Sequence, residues 1–180
     1  MEDTVTLPRL HEVLQIVMGW QDYHLHQFIT GSTHEDLLFY GVPDDDDFGD
    51  PEFMARQRDE AGVRARRLLP LEGDSITYEY DFGDGWEHQL LLEKVVSVDR
   101  DGPGLPWCLE GRRACPPEDV GGTGGYGDFL EAFSNPHHEE HGPMREWGGD
   151  FDPERFDCIA VNTALWWWAE ARGRHKRQRR

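Results

Sequence analysis

The sequence contains no uninterrupted run of about 18 apolar residues, the length that a membrane-spanning helix normally needs. Its first residues, Met1-Glu2-Asp3, lack the positive charge of a secretory signal. Cysteine is rare, and three residues are an odd number, so we expect reduced thiols and no disulfide framework. These absences together predict a cytoplasmic protein that does not enter a membrane.

Basic residues are also few, and they are unevenly placed. The 180 residues carry 36 acidic and 18 basic side chains, a net charge of −18. Six of the basic side chains lie in the last nine residues, so the body before them has 12 basic and 36 acidic residues, a net charge of −24. Such a body repels a phosphate backbone, because duplex binding draws on several lysines and arginines. Nucleic acid binding is therefore expected only through the basic tail, residues 172–180.

Several catalytic signatures are missing. The sequence has no Gly-x-Ser-x-Gly motif and no Gly-Lys-Ser/Thr motif, so it indicates neither a serine hydrolase nor a phosphate loop. The histidines at 137–141 do not have the His-Glu-x-x-His pattern of a zinc protease helix. No established catalytic motif is present, and the sequence leaves open whether the protein is an enzyme.

Aromatic residues, by contrast, are abundant at 12% of the chain, and they supply apolar surface for a hydrophobic core. Alternating apolar and polar residues at 75–82, then Gly83-Asp84-Gly85 and residues 86–98, predict a long β-hairpin. Apolar residues with helical spacing predict a helix that ends at Gly19. Further strands are predicted at 23–29 and 36–42, an acidic loop at 43–51, and helices at 56–69, 128–133, 137–147 and 152–171. Gly62 is expected to split the helix at 56–69.

These elements predict the fold class and the domain organisation. We expect a single α+β domain at residues 1–171, in which an antiparallel sheet that includes the long β-hairpin packs against several helices. Residues 172–180 are predicted to form a disordered basic tail.

Two histidines, His24 and His26, form the first group of side chains that could carry chemistry. They are two residues apart on a predicted strand, so both imidazoles project from the same face. This geometry suits metal binding or proton transfer, but histidines on a buried strand more often serve as hydrogen-bonded structural groups. The structural interpretation is favoured for this pair.

Two other segments hold polar side chains. The end of the predicted hairpin carries Asp81, Asp84 and His88, although a turn alone explains an aspartate at position 84. A later segment contains two thiols whose spacing does not match a zinc knuckle, followed by two carboxylates. These four residues are Cys108, Cys115, Glu118 and Asp119.

The order and spacing of these segments resemble the plasmid pRiA4b ORF-3-like family. The resemblance implies an α+β fold of antiparallel strands covered by helices, and it implies little about activity. The family occurs on plasmids and insertion elements and is often labelled a transposon resolvase, TnpR. The resemblance extends over roughly residues 5 to 165, and the stretches that carry it are 10–15 with 18–20, 24–28, 78–88, 114–122 with 125–126, and 151–157.

The resolvase label can be compared with the residues themselves. A serine resolvase needs a nucleophilic serine among arginines that hold the scissile phosphate. The serines at 32, 75, 97 and 134 lie in no arginine-rich setting, and no basic recognition helix is present. Recombinase chemistry of the usual kind is therefore not expected.

The motif residues shared with the family are polar residues in three separated segments, more than a core requires. We predict that they line one polar pocket, which binds an unknown protein or small ligand in an accessory domain associated with mobile elements. One alternative is a metal-dependent hydrolase that holds a divalent metal such as zinc. Another is an accessory factor in DNA mobilisation that acts through the basic tail. The predicted pocket residues are His24, His26, Asp81, Asp84, His88, Glu118 and Asp119, and the candidate metal ligands are His24, His26, His88, Cys108 and Cys115.

The two ends of the chain raise a further hypothesis. Members of the family usually carry an additional strand before the first helix, whereas only a few residues precede Leu7 here. Either the native start lies upstream of Met1, or the domain is shortened and its sheet has an unpaired edge. Trp166, Trp167 and Trp168 span about 200° of a helix, so they cannot all face one core. We expect them to cover that edge or to mediate self-association.

Overall fold

The structure is a computed structural model that describes residues 5–43, 51–97 and 106–178. The chain divides into two compact units. Unit 1 consists of Met1–Glu12 and Asp22–Gly104, and unit 2 consists of Val13–Gln21 and Leu105–Arg180. The first helix, α1 at Leu7–Met18, contributes residues to both units and ends at Gly19 as predicted.

Unit 1 is built on a five-stranded sheet. Its strands are β1 at His26–Thr30, β2 at Leu38–Gly41, β3 at Gln57–Asp59, β4 at Ser75–Tyr80 and β5 at Trp86–Leu91. They lie in the order β3-β2-β1-β4-β5, and all neighbours are antiparallel except β2 and β3, which are parallel. Two short helices, α2 at Pro51–Arg56 and α3 at Ala65–Leu68, belong to the same unit. The mostly antiparallel sheet with its helices confirms the predicted α+β class.

Strand β4 supplies much of the core of unit 1. Its residues Ile76, Tyr78 and Tyr80 are buried and alternate with half-buried polar residues, which confirms the predicted period of two. Phe28 on β1 lies opposite Tyr78 in the register, and both side chains are fully buried. Each such burial removes a large apolar surface from water and stabilises the fold by roughly 2–3 kcal/mol.

Residues 56–69, predicted as a helix that Gly62 splits, are helical beyond Arg56 only in the part after Gly62. Residues Gln57–Asp59 pair with β2 as strand β3, and only Ala65–Leu68 are helical. Gly62, between them, has a φ of 76°, a left-handed conformation that interrupts a helix. Pairing with the edge of the sheet outweighs the local helix propensity of this segment. The second hairpin strand ends at Leu91, before the predicted end at residue 98, and residues 44–50 of the predicted acidic loop lie outside the described residues.

Unit 2 contains three helices, α4 at Gly122–Ser134, α5 at His141–Gly148 and α6 at Cys158–Gln178. An aromatic cluster joins α4 to α5: the ring of Phe129 lies 5.1 Å from that of Phe133 and 5.2 Å from that of Trp147. At Gly148, an added Cβ atom would lie 2.8 Å from the ring of Phe133. The close approach of α5 to α4 therefore requires glycine at this position.

Helix α6 continues through Gln178, so the backbone of residues 172–178 is helical where a disordered tail was predicted. Helices gain one hydrogen bond for each residue added, and an existing helix is therefore readily extended. In the ranges 5–43, 51–97 and 106–178, no helix combines the length and the apolar character needed to cross a membrane.

Candidate functional site

Two buried histidines of unit 1 lie against each other, and one of them is the first residue of β1. His11 comes from α1 and His26 from β1, and their rings are stacked with centroids 3.5 Å apart and an interplanar angle of 5°. The side chains are 6% and 8% exposed. Because two imidazolium charges at this distance would repel strongly, the stack accommodates at most one positive charge.

Each histidine of this pair has a carboxylate partner. The Nε2 atom of His11 lies 2.8 Å from Oδ1 of Asp22, and Nε2 of His26 lies 3.1 Å from Oε2 of Glu60. On the other side of the His11 ring, Nδ1 lies 2.8 Å from the hydroxyl of Tyr78. The carboxylate of Asp22 can only accept, so Nε2–H of His11 donates to it. In the neutral ring, Nδ1 is then the acceptor for the Tyr78 hydroxyl.

The environment of His11 favours its neutral form. Burial lowers the pKa of His11 most, and the neighbouring His26 lowers it further, while Asp22 and Glu60 act in the opposite direction. The Tyr78 side chain is fully buried, so its hydroxyl is not accessible to a substrate. This network connects α1, β1 and β4 through fixed hydrogen bonds, a structural task consistent with the favoured interpretation of His26.

Sequence reasoning did not single out His11, Asp22 or Glu60. A signal for His11 was present, because it follows the buried Leu7 by four residues and so lies on the buried face of α1. No comparable signal existed for Glu60, which follows β3 and is 4% exposed. Its burial depends on the parallel pairing of β3, which the sequence did not predict.

The end of the β4–β5 hairpin holds three predicted site residues. Asp81 has a positive φ of 57°, and its Oδ1 atom accepts hydrogen bonds from the backbone N–H groups of Gly83 at 2.9 Å and Asp84 at 3.2 Å. The turn interpretation, in which an aspartate hydrogen-bonds the backbone of the turn, therefore also applies to Asp81. The second oxygen of Asp81 lies 3.6 Å from Nε2 of His24, so the structure brings these two predicted residues together.

His88 lies opposite Tyr78 in the register of β4 and β5, with the ring centroids 5.9 Å apart. Burial lowers the pKa of His88, and backbone hydrogen bonds at Tyr78 and Trp86 oppose this effect. His26 is engaged with His11 and Glu60, as described above. Within unit 1, the predicted residues thus form two groups, one at the first residue of β1 and one at the turn between β4 and β5. His88 lies on β5, opposite Tyr78 of β4.

The remaining predicted residues belong to unit 2. Oε1 of Glu118 accepts a hydrogen bond of 2.8 Å from the backbone N–H of Gln21. Burial raises the pKa of the Cys115 thiol to about 12, and the negative charge of Glu118 contributes. A thiol with this pKa is protonated at neutral pH and is therefore a weak nucleophile.

Cys108 is fixed by a residue of α6. Its backbone N–H donates to Oδ1 of Asn162 at 2.8 Å, and Nδ2 of Asn162 donates back to the carbonyl of Cys108 at 2.8 Å. The thiol of Cys158, which the sequence did not single out, donates to the same carbonyl at 3.2 Å. Burial raises the pKa of Cys108 as well. Its surroundings thus favour a protonated thiol with a structural role.

Unit 2 also contains a cavity of about 490 Å³ that no sequence pattern indicated as a whole. It lies at α4, α5 and the turn before α4. Among the described residues that line it are four carboxylates and a histidine, and none of these described residues is a lysine or an arginine. The polar lining residues are Asp119, Asp128, Glu131, His138 and Glu140, and the others are Val120, Gly125, Phe129, Ala132, Met144 and Trp147.

The tight turn before α4 places Asp119 at this cavity. Asp119 has a φ of 58°, and the backbone N–H of Gly125 donates to the carbonyl of Gly121 at 3.0 Å. A Cβ atom on Gly125 would overlap the carbonyl oxygen of Val120, so only glycine allows this turn. Asp119 is the one predicted pocket residue that lines the cavity.

The start of α5 is attached to α4 on the other side of the cavity. Nδ1–H of His141 donates to the carbonyl of Ala132 at 2.8 Å. The backbone N–H of Glu140 donates to Nδ1 of His138 at 3.1 Å, so a neutral His138 carries its proton on Nε2. These bonds fix the segment from which His138 and Glu140 line the cavity.

Comparisons with known proteins agree on one family. The family described as plasmid pRiA4b ORF-3-like protein matches residues 1–160. An uncharacterized protein, y4hQ, from Sinorhizobium fredii (strain NBRC 101917 / NGR234) is 42% identical over 163 residues, which are 88% of this chain and 74% of that protein. A solved structure, a protein of unknown function, MM3350, from Methanosarcina mazei Go1, is 34% identical with a TM-score of 0.74, over 88% of this chain and 84% of that chain.

Proposed function

The chain belongs to the plasmid pRiA4b ORF-3-like family, and we propose that it is a binding protein that holds an organic cation in the cavity of unit 2. The observation that carries this proposal is the combination of four carboxylates with an aromatic and aliphatic wall in a single cavity. The proposal keeps the accessory binding function predicted from the sequence and assigns it a different site, which shares only Asp119 with the predicted pocket.

The size of the cavity suits a small organic group. Pockets for small molecules commonly enclose about 300–1,000 Å³ and combine apolar walls with a few polar groups. The volume of about 490 Å³ falls in this range. It accommodates an aromatic or aliphatic amine, or one long side chain of a peptide.

The charge of the cavity selects a cation. Asp128 and Glu131 lie on α4, Asp119 lies on the turn before it, and Glu140 lies just before α5. In the part of the chain that the structure describes, no lysine or arginine lines the cavity beside them. Opposite charge attracts an ammonium or guanidinium group into such a concave, one-signed surface, while an anion is repelled. A phosphate or carboxylate ligand is therefore disfavoured here.

The walls of the cavity add a second element of recognition. Trp147 is 50% exposed, and its indole is held by an edge contact with the ring of buried Phe129, 5.2 Å away. A cation over the face of a tryptophan gains about 0.5–1 kcal/mol at an exposed site. Met144 is a flexible apolar side chain that adapts to ligands of different shape. The preferred ligand therefore joins a positive group to an apolar one.

Two sources present this chemistry, a free amine and the lysine or arginine side chain of a peptide. We would titrate the full chain in a calorimeter with phenethylamine, with agmatine and with an acetylated arginine peptide. At least one cation should bind, and phenethyl alcohol, the neutral analogue of phenethylamine, should not. Binding should weaken as salt is added, because ions screen the attraction. The stronger cation identifies the source.

Variants of the cavity locate the binding. Asp128→Asn with Glu131→Gln removes two exposed charges of the cavity, and we expect the Kd for the cation to rise by about tenfold or more. Glu139→Gln is the matched control, since Glu139 is an exposed acid of the same segment that does not line the cavity. Equal binding of the alcohol and the amine, or equal losses in the control and the cavity variant, would contradict the proposal.

A further inference from the structure

Helix α6 of unit 2 has one buried face and one exposed face. Asn162 and Leu165 are buried at 8% and 1% exposure, and the residues one turn away on the same side are half-buried. On the opposite side, Ile159 is 81% exposed, Trp166 44% and Trp167 56%. The order of exposed and buried positions follows the helical period throughout residues 158–172. The exposed face is thus a regular surface of the helix.

The composition of this exposed face is unusual for a surface in contact with water. Between residues 159 and 171 its only polar members are Thr163 and Glu170. We call the apolar residues of this face the tryptophan face: Ile159, Ala160, Ala164, Trp166, Trp167 and Ala171. A contiguous exposed apolar patch on a protein is typical of an interaction surface.

The spacing along the tryptophan face is that of a helix pair. Ile159, Thr163, Trp166 and Glu170 follow one another at intervals of four, three and four residues, the spacing of the seam between two packed helices. Small alanines at 160 and 164 flank this seam and allow a second helix to approach closely. The occupant that fits is therefore another helix with an apolar face.

The charges at the two ends of α6 indicate that the second helix is another copy of α6, and they also indicate its orientation. The segment before the helix carries four acids, Asp150, Asp152, Glu154 and Asp157, and one base, Arg155. The sequence of residues 172–180, at the other end of α6, carries six basic residues and no acid. A second copy of α6 in the opposite direction would place the basic end of each helix beside the acidic start of the other, whereas a parallel copy would place like charges together.

We propose that two copies of this chain associate through the tryptophan faces of α6, in antiparallel orientation and related by a two-fold axis. Such an isologous contact uses the same surface on both copies and closes as a dimer. The tryptophan face is about 20 Å long, from the 13 residues 159–171 at about 1.5 Å each. The net charge of −18 on each copy opposes association, so the dimer is a weak one.

Sedimentation velocity of the full chain over a range of micromolar concentrations tests the proposal. We expect a monomer–dimer equilibrium, and we expect Trp166→Ala with Trp167→Ala to raise the dimer dissociation constant by about tenfold or more, since central tryptophans dominate interfaces. Leu71→Ala, which removes an exposed apolar side chain of unit 1, should leave the equilibrium unchanged. Circular dichroism verifies that the variants are folded. Because both tryptophans are exposed, we expect their substitution to leave the fold intact.

Cross-linking determines the orientation. Ile159 and Glu170 are 11 residues apart, about 16 Å along the helix. In a mixture of Ile159→Cys and Glu170→Cys chains, a short bis-maleimide should join 159 to 170 in excess of 159 to 159 and 170 to 170, with the unsubstituted chain as the background. An excess of like-to-like links would overturn the antiparallel arrangement. A chain that stays monomeric at every concentration, or one whose tryptophans bind only a different protein, would overturn the dimer. None of residues 158–172, the part of α6 whose side chains the structure describes, lines the cavity, so either result is independent of cation binding.

Discussion

Gly148 offers a direct test of the packing between α4 and α5. A Cβ atom at this position would lie 2.8 Å from Cε2 of Phe133, and 3.0 and 3.2 Å from Cζ and Cε2 of Phe129. These distances are shorter than ordinary contact, and both rings belong to the buried cluster of unit 2. In Gly148→Ala, the rings or the whole of α5 must therefore move. Such overpacking of a well-packed core typically costs about 1–3 kcal/mol.

Gly127 in α4 is the matched control. It is a cleaner one than Gly142, which precedes Pro143, whose ring disfavours a helical alanine before it. An added Cβ atom at Gly127 meets nothing within 4 Å, so Gly127→Ala changes only the conformational preference of the backbone. Alanine is favoured over glycine within a helix by up to about 1 kcal/mol. Because both variants gain this preference to some degree, the difference in their free energies of unfolding reports the clash. We expect Gly148→Ala to be the less stable by about 1–3 kcal/mol.

Urea unfolding followed by far-ultraviolet circular dichroism measures this difference. With a slope of about 1–3 kcal/mol per molar urea, the expected change shifts the midpoint by several tenths of a molar or more, which is readily resolved. The slope itself should be the same in both variants, since neither alters the surface exposed on unfolding. Equal midpoints for the two variants would refute the packing described for Gly148.

Two further predictions concern the histidine network of unit 1. Tyr78→Phe removes the donor to Nδ1 of buried His11, and we expect a loss of about 1–3 kcal/mol in the free energy of unfolding. Tyr40→Phe is the control, and its loss should be smaller, since Tyr40 is not a hydrogen-bond partner of His11. Burial lowers the pKa values of His11 and His88 from 6.5, so the unfolded chain binds more protons below about pH 6.5. The free energy of unfolding, measured by urea titration, should therefore fall as the pH decreases through this range. If a chain without His11 and His88 showed the same fall, the pH dependence could not be assigned to these two histidines.

Local sequence patterns predicted the elements whose buried face is set by periodicity. The alternation of β4 placed Ile76, Tyr78 and Tyr80 in the core, because a strand with one buried face has a period of two. The extent of α4 was underestimated, since four glycines, at 122, 124, 125 and 127, are typical of a loop. Position 125 requires glycine because a Cβ atom there would overlap the carbonyl of Val120 in the preceding turn.

The candidate sites were harder to predict than the fold. His26 was identified from its strand, but its partners His11 and Glu60 come from α1 and from the end of β3, a strand that was predicted as helix. The cavity of unit 2 depends on how closely α5 approaches α4, which the contact at Gly148 controls. Among the residues that line it, Asp119 is the one that the sequence predicted as a pocket residue. Sites formed by packing leave little trace in local patterns.

The strand order of unit 1 has a consequence for the way the chain folds. The β4–β5 hairpin closes over the five residues 81–85, whereas the central pairing of β1 with β4 joins Ile29 to Thr77 across 47 intervening residues. For an otherwise unstructured chain, closing the longer loop costs about 2 kcal/mol more in entropy than closing the shorter one. The β4–β5 hairpin therefore forms at a lower entropic cost than the pairing of β4 with β1.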